Sequence, residues 1–240
     1  MTIESKFMPS PCKRRSAQCA AFSLIEMLVV VTIIVLLLAF TTPALMRTMQ
    51  SSRLTSAGDT LFGAISEAQQ MAYAQNVPVE VRFFKFAEGL DTNTNFRAYQ
   101  MFKVTLTTEE DGDVVETLVP VNNLTRTPEG IIIVTDQELS PMLSGASLPD
   151  SKPGGGAIGY SGVEGAEYNA IRFMTDGSCR KVEETADGLA GLAYQTLPSS
   201  FFTITIDNGQ EITTANLPKN FYTIQIDPFT GKARNYKPGF

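Results

Sequence analysis

The hydrophobic and polar positions divide this chain into an N-terminal helical part and a C-terminal part with strand periodicity. Residues 22–40 form a run in which Ser23, Glu26 and Thr32 are the residues that are not apolar. At about 1.5 Å per helical residue, the run is long enough to cross a hydrocarbon core of about 30 Å. The pattern therefore predicts a membrane-spanning helix over residues 22–40.

The helical pattern continues from residue 41 to about Gln75. Apolar or small residues recur there every three or four positions, which predicts an amphipathic helix with one face on a sheet. These residues are Leu54, Ala57, Leu61, Ala64, Ile65, Ala68, Met71 and Ala72. Pro43 lacks a backbone donor and crowds the preceding turn, so we expect a bend or local melting there.

From residue 76 the periodicity changes to two, which is typical of β-strands. The predicted strands cover residues 79–83, 97–104, 114–119, 131–135, 170–174, 178–182, 201–206, 222–226 and 233–236. Residues 139–169 are rich in Gly, Pro and Ser, and we interpret them as one long surface insertion. The predicted fold class is α+β, with a long N-terminal helix packed on an antiparallel sheet domain over residues 76–240.

Glu26 is the residue of the apolar run that needs a chemical explanation. An ionised carboxylate inside a membrane costs a few kcal/mol or more unless it has a partner. No Lys or Arg lies between Phe22 and Met46, and Arg15 is the nearest cation upstream. The neutralising charge would come from a lipid head group, from another chain, or from a new amino terminus made by proteolysis just before Phe22.

Residues 21–26, with the sequence AFSLIE, resemble the cleavage and methylation signature of type IV prepilins and type II secretion pseudopilins. In those families a basic leader is cut before a Phe, and a Glu stands fifth in the mature chain. Phe22 and Glu26 occupy these two places. Pro43 falls at the twenty-second mature position, where pilins commonly carry a helix-bending proline. Ala21 stands where the family usually has Gly, a departure that bears on the efficiency of processing.

The resemblance implies a pilin-like fold and a structural subunit rather than an enzyme, without a cofactor. Residues 1–21 would be a leader, and a membrane-embedded prepilin peptidase would cut between Ala21 and Phe22 and methylate the new amine. The mature chain would join other pilin-like subunits in a type II secretion pseudopilus or a type IV pilus-like filament, through a secretion or pilus assembly platform. Glu26 would then meet the amino terminus of a neighbouring subunit.

The later strands extend the resemblance. Residues 171–173 followed by Asp176-Gly177, and residues 224–228 followed by Thr230-Gly231-Lys232, resemble the closing strand pairs of minor pseudopilins of the H type. This similarity implies a minor subunit. The chain is also similar to an uncharacterised pilin-like family found in clustered cassettes of verrucomicrobial genomes, although no single residue carries this second resemblance.

The charge distribution predicts where the chain lies. The full chain has a net charge of −6; its leader holds four of the 19 basic and one of the 25 acidic residues, so the mature chain would carry −9. An acidic domain argues against a nucleic-acid partner, whose phosphates need Lys and Arg. The basic cluster Lys13–Arg15 precedes the apolar run and should stay cytoplasmic. We therefore expect a single-pass inner-membrane protein with a periplasmic C-terminal domain.

The residue types limit the possible chemistry. The chain contains no His, which excludes a Ser-His-Asp triad, a Cys-His pair and His-ligated zinc. Asp91, Asn93 and Asn95 mimic the start of a calcium loop, but Phe96 stands where Gly is needed; a solvated turn is the simpler interpretation, and a calcium site of another kind stays open. Cys179 is the one cysteine of the mature chain, and we expect it in a buried strand rather than as a reactive thiol.

Three alternatives stay open at this point. Thr42-Pro43-Ala44 could be an ordinary signal-peptide cleavage site, which would release a soluble product. Glu26 could snorkel to the cytoplasmic interface from near the helix end. The helix could also be only an anchor for an extracytoplasmic binding module, or for an enzyme lacking His, that does not enter a filament.

Overall fold

The computed structural model describes residues 23–87, 93–108, 114–149, 166–184 and 190–238. Helix α1 (Leu24–Gln75) is the long N-terminal helix that the sequence predicts, and it ends at the predicted residue. Asn76 follows it with a φ of 53°, the left-handed conformation that commonly ends a helix. The chain divides into two compact units whose boundary lies between Met46 and Arg47. Each unit is described by itself.

The second unit is rich in strands. In chain order they are β1 (Val79–Phe86), β2 (Asn95–Thr108), β3 (Val114–Pro120), β4 (Thr125–Arg126), β5 (Ile131–Ile133), β6 (Leu148–Pro149), β7 (Glu167–Phe173), β8 (Cys179–Glu184), β9 (Ala190–Ala193), β10 (Phe201–Ile206), β11 (Phe221–Ile226) and β12 (Ala233–Tyr236). Each of the nine predicted strands is present, with ends that differ by a few residues. The α+β fold class is confirmed.

Within the described residues these strands form one antiparallel sheet. Its main order is β12-β11-β10-β5-β2-β1-β7-β8-β9, while β3 and β4 pair with β2 and β6 pairs with β7. The long strand β2 explains the branching, because successive parts of one of its edges pair with β5, β4 and β3. The sheet therefore brings the C-terminal hairpins beside strands from the middle of the chain.

One face of the sheet is covered by the C-terminal half of α1. The buried helix positions follow each other at intervals of three and four: Leu54, Gly58, Leu61, Ile65, Ala68 and Ala72. Apart from Gly58, these residues share one hydrophobic cluster with Val79, Val81 and Phe83 of β1 and with strands on both sides of it. The amphipathic stripe predicted from the sequence is confirmed as core packing.

The opposite face of the sheet is also covered. A second cluster there contains Phe84, Phe102, Leu148 and Tyr168. Consequently β1 is buried from Val79 to Phe84 on both sides, although its sequence alternates between apolar and charged residues. Burial on both faces places its charged side chains inside the domain.

The expectation that residues 139–169 form a surface insertion is wrong at both ends of that segment. The chain turns inward at Asp136, whose carboxylate accepts hydrogen bonds from the amides of Glu138 and Leu139. A short 3-10 helix (Pro141–Leu143) then buries Met142 and Leu143 in the core. At the other end, Tyr168 and Asn169 are buried within β7. Residues 150–165 lie outside the described residues.

Candidate functional site

The first unit presents an apolar helical surface. Every described side chain from Ser23 to Thr42 is exposed, including the apolar ones. Helix α1 is long and apolar enough near the N-terminus to cross a membrane, by length and composition. Large contiguous apolar surfaces of this kind mark contacts with lipid or with other protein chains. The surface is therefore suited to both environments.

The hydroxyl groups of Thr32, Thr41 and Thr42 in this segment are satisfied within the helix. Thr32 donates its hydroxyl proton to the carbonyl oxygen of Leu28 at 2.7 Å, and Thr42 donates to that of Leu38 at the same distance. Thr41 donates to the carbonyl oxygen of Leu37 at 3.1 Å. Because an unpaired polar group in hydrocarbon is costly, these bonds make the hydroxyls compatible with an apolar environment.

Glu26 differs from these threonines. It lies in the first turn of α1, where the carbonyl oxygen of Ser23 accepts hydrogen bonds from the amides of Glu26 and Met27 at 3.0 and 3.1 Å. The helix N-terminus carries a partial positive charge that favours a carboxylate nearby. Among the described residues, however, the Glu26 carboxylate has no ion pair or side-chain hydrogen bond. It is thus an exposed acid in an apolar segment of the helix, residues 24–46, that contains no Lys or Arg.

The other predicted site residues are placed as follows. Ala21 and Phe22, the predicted cleavage position, lie outside the described residues. Pro43 lies inside α1, which continues as an α-helix through it to Gln75. Of the two consequences expected at Pro43, local melting is therefore not observed. The roles of Ala21, Phe22, Glu26 and Pro43 in processing and assembly stay predictions.

Within the second unit, α1 is fixed to the sheet by Tyr222. A Cβ atom built on Gly58 would lie 2.4 Å from Cδ2 of the Tyr222 ring, so only Gly allows this contact. The Tyr222 hydroxyl donates to Oδ1 of Asp59 at 2.8 Å and accepts a hydrogen bond from the amide of Asn235 at 2.8 Å. Lys237 adds an ion pair to the same Asp59 oxygen at 3.2 Å. These two partners of Oδ1 therefore fix the orientation of the Asp59 carboxylate.

These contacts change the acidity of Tyr222. Burial raises the pKa of its phenol to about 12, and the neighbouring carboxylate of Asp59 acts in the same direction. The hydrogen bond from Asn235 acts in the opposite direction and only partly offsets the effect of burial. The phenol therefore stays protonated and keeps its hydrogen bond to the helix over the whole physiological pH range.

A second fixation point joins two hairpin turns to the helix. Gly231 lies in the turn between β11 and β12 with a φ of +63°, and a Cβ there would lie 2.6 Å from the carbonyl oxygen of Gly177. Gln69 of α1 donates its side-chain amide to the carbonyl oxygen of Thr230 at 2.9 Å. The two turns that carry the predicted closing strand pairs thus meet beneath the helix.

The charged residues of β1 form a buried ionic cluster. Glu80 accepts hydrogen bonds from Arg82 at 2.7 Å and from both Nε and Nη2 of Arg172, at 3.0 and 2.7 Å. Arg172 also binds Glu116 through two hydrogen bonds of 2.9 Å. The guanidinium of Arg82 lies 4.2 Å from the ring centroid of Tyr168. Sequence reasoning missed this cluster, although an acid and a base two positions apart on one strand were a signal for it.

Cys179 lies buried at the start of β8, as the sequence predicts. Burial raises the pKa of its thiol far above the ordinary value. The thiolate is the reactive form of cysteine, so this side chain is inert in the folded domain.

The described part of the chain offers little for small-molecule chemistry. It contains no group of three or more Cys, Asp or Glu side chains placed to hold a metal ion. A cavity of about 100 Å³ lies between α1 and the sheet, lined mainly by apolar atoms from residues that include Ala57, Leu61, Tyr99 and Ile204. Asp91 of the candidate calcium loop lies outside the described residues, so the geometry does not bear on that loop.

Comparison with known proteins identifies the N-terminal segment. Residues 16–42 match the family model of the prokaryotic N-terminal methylation motif. This segment contains Ala21, Phe22 and Glu26 and ends just before Pro43. No curated protein and no solved structure matches the chain significantly. The family model covers residues 16–42.

Proposed function

We propose that this chain, which its N-terminal methylation motif marks as a type IV prepilin- or pseudopilin-like protein, is a structural subunit that assembles into a helical filament. Prepilin peptidase would cut between Ala21 and Phe22 and methylate the new amine of Phe22. The mature subunit would wait in the membrane through its apolar helix and then enter the filament. The motif and the membrane-capable helix support this proposal.

The observation that carries the proposal is the state of Glu26. An acid on an apolar helix needs a cation, and the described chain offers none near it. Processing would create an α-amine at Phe22, four residues before Glu26, on every copy. In a bundle of parallel helices, the amine of one copy can meet the carboxylate of the next. Leaving either charge buried without its partner costs about 3–5 kcal/mol, so the pairing would select one axial register.

The apolar surface supports the same proposal. In the membrane this surface contacts lipid, and in a filament it would contact the equivalent surfaces of neighbouring helices. Because Thr32, Thr41 and Thr42 are hydrogen-bonded inside their own helix, the transfer does not require these groups to find new partners. Glu26, by contrast, has no such partner, so its free energy would change when the helix moves from lipid into a filament.

The membrane location, the partners and the role of the subunit are further parts of this proposal. The basic leader ahead of the apolar run supports an inner-membrane subunit with its sheet domain in the periplasm. Its partners would be the peptidase, other pilin-like subunits and a secretion or pilus assembly platform. We also propose a minor role in a secretion pseudopilus or a pilus-like filament, on the basis of the β-rich domain and its closing hairpins.

Mass spectrometry of the native polypeptide tests the proposal. We expect a chain that begins at Phe22 and carries one methyl group on its α-amine. Thiol titration after denaturation gives an independent check, because the full sequence holds Cys12, Cys19 and Cys179 and the mature chain only Cys179. A native chain that still begins at Met1 would overturn the filament proposal and favour a membrane-anchored binding module. Cleavage beside Pro43 would instead identify an ordinary secreted protein.

A further inference from the structure

A cavity of the second compact unit lies between helix α1 and the sheet, and its inner wall is apolar. Its volume is about 100 Å³. The wall includes Leu61 of the helix and Ile133 and Ile204 of the sheet, none of which is more than 1% exposed. The exposed residues Ser56 and Pro128 also line the cavity. The cavity therefore reaches from the core to the surface of the domain.

Most hydroxyl groups of the wall already have hydrogen-bond partners. Thr60 donates its hydroxyl proton to a main-chain carbonyl oxygen of α1 at 2.8 Å, and Thr127 donates to the carbonyl oxygen of Arg97 at 3.1 Å. The side chains of Tyr99 and Thr125 are hydrogen-bonded to each other. A buried water molecule needs about two to four polar partners. The wall therefore favours neither water nor a strongly polar ligand.

The charge of Arg126 does not reach the cavity, although this residue is part of the wall. Arg126 is paired with Ala98 in the sheet, and Ala98 belongs to the cluster on the face opposite the helix. Directly paired residues carry their side chains on the same face of a sheet. Accordingly, the guanidinium lies 5.2 Å from the ring centroid of Phe86, which packs against that same cluster. Among the described lining residues, no other side chain is charged at neutral pH.

We infer that this cavity binds a small uncharged apolar molecule. Burial of apolar surface supplies the free energy of binding, whereas an ion would lose its hydration without gaining a counterion. An apolar cavity of about 150 Å³ holds benzene or xenon. The smaller volume here suits xenon or a hydrocarbon with fewer carbons than benzene. All lining residues belong to one chain, so the inference is independent of processing and of assembly into a filament.

Cyclopentane and tetrahydrofuran are matched probes for this site, because one methylene group of the first ring is replaced by oxygen in the second. Thermal unfolding of the full chain in detergent measures their effects, at equal free concentrations set through the vapour. At about ten times its Kd, cyclopentane should raise the unfolding temperature by about 3–6 °C. Tetrahydrofuran should bind at least about tenfold more weakly, since its oxygen loses hydration in the cavity.

Ala57→Leu tests the location of the site, because Ala57 lines the cavity and the larger side chain would fill it. Without ligand, we expect this variant to unfold at a higher temperature than the parent; it should also lose the response to cyclopentane. Ala74→Leu is the matched control, since residue 74 is an exposed position of the same helix outside the cavity. Its response should persist. The detergent takes up the probe equally in all three samples, so a difference between them reports on the site.

Xenon locates the site without any substitution. In crystals of the full chain under xenon pressure, we expect a xenon atom between Leu61 and Ile204. Absence of xenon there, an equal response to the two ring probes, or an unchanged response in folded Ala57→Leu would overturn the inference. None of these results bears on the proposed function, which is tested by the N-terminus of the native chain.

Discussion

Gly58 of the helix and Tyr222 of strand β11 are in direct contact, with the ring covering the position where any other residue would carry its Cβ atom. The contact joins the helix to a strand 164 positions later in the chain. It is also next to Asp59, the carboxylate whose direction the same tyrosine fixes. The helix therefore lies directly against the sheet at the level of Gly58.

We expect Gly58→Ala to destabilise the domain by about 1–3 kcal/mol, because the added methyl group would have to displace a buried ring. Ala is the better helix former by about 1 kcal/mol, so helix propensity alone predicts the opposite sign. Gly63→Ala is the matched control: nothing lies within 4 Å of a Cβ there, and we expect a small stabilisation. Thermal unfolding of the mature chain in detergent, followed by near-ultraviolet circular dichroism, measures both. A neutral or stabilising Gly58→Ala would contradict the close contact.

The hydrogen bond of Tyr222 predicts a dependence of stability on alkaline pH. The pKa of the folded phenol is raised to about 12 from an ordinary value of 10.0. Between these values the unfolded chain loses a proton that the folded chain retains, so this residue makes stability fall as pH rises. Tyr99, whose pKa burial also raises, contributes in the same direction.

Tyr222→Phe isolates the first of these contributions. We expect the variant to be less stable than the parent at neutral pH, because it loses the bond to Asp59, and to lose less stability between about pH 10 and 12. Urea unfolding at a series of pH values provides the measurement. Parallel curves for parent and variant across that range would show that Tyr222 does not titrate with a raised pKa.

The buried ionic cluster predicts a large effect of a small change. Glu80→Gln keeps the shape of the side chain but leaves Arg82 without a counterion in the interior and leaves Arg172 with Glu116 alone. We expect a loss of about 3–5 kcal/mol in the free energy of unfolding. Glu183→Gln, which removes a half-exposed carboxylate 3.2 Å from Lys181, should cost no more than about 1 kcal/mol. Equal effects of the two substitutions would contradict the burial of the cluster.

Glu26→Ala separates insertion into the membrane from assembly. We expect the variant to enter the membrane and to fold its sheet domain normally, since Glu26 belongs to the other compact unit of the chain. Incorporation into filaments should be lost, because the amine of the next copy would find no carboxylate. Thr32→Val is the control within the same helix and should assemble normally, since that hydroxyl bonds only to Leu28. Fractionation of sheared filaments and membranes provides the measurement, and normal incorporation of Glu26→Ala would contradict the register argument.

The sequence was sufficient for the long elements. The helix has a sustained apolar stripe, and strands such as β10 and β12 have the periodicity that local physics requires, so their positions agree with the structure. Strands β4, β6 and β9 were not predicted. They have two to four residues, and two of them contain Pro or Gly, which disfavour strands locally. Pairing with distant strands compensates for these weak propensities.

The ionic cluster was missed for a related reason. Alternation such as that of β1 is typical of a strand in a sheet with one covered face, where charged residues at the positions of Glu80 and Arg82 would face solvent. Whether that face is covered depends on strand order and on Leu148 and Tyr168, which lie far along the chain. The partner Arg172 comes from β7, which lies beside β1 only because of the sheet topology. No local pattern contains this information.

If the subunit leaves the membrane for a filament as proposed, the hydrogen bonds of Thr32, Thr41 and Thr42 reduce the work that this step requires. A helix whose hydroxyl groups are hydrogen-bonded internally only exchanges dispersion contacts with fatty acid tails for dispersion contacts with other helices. The two kinds of contact are nearly equal in strength. The force needed to pull the subunit out of a bilayer would then be set mainly by Glu26, near the N-terminal end of the helix.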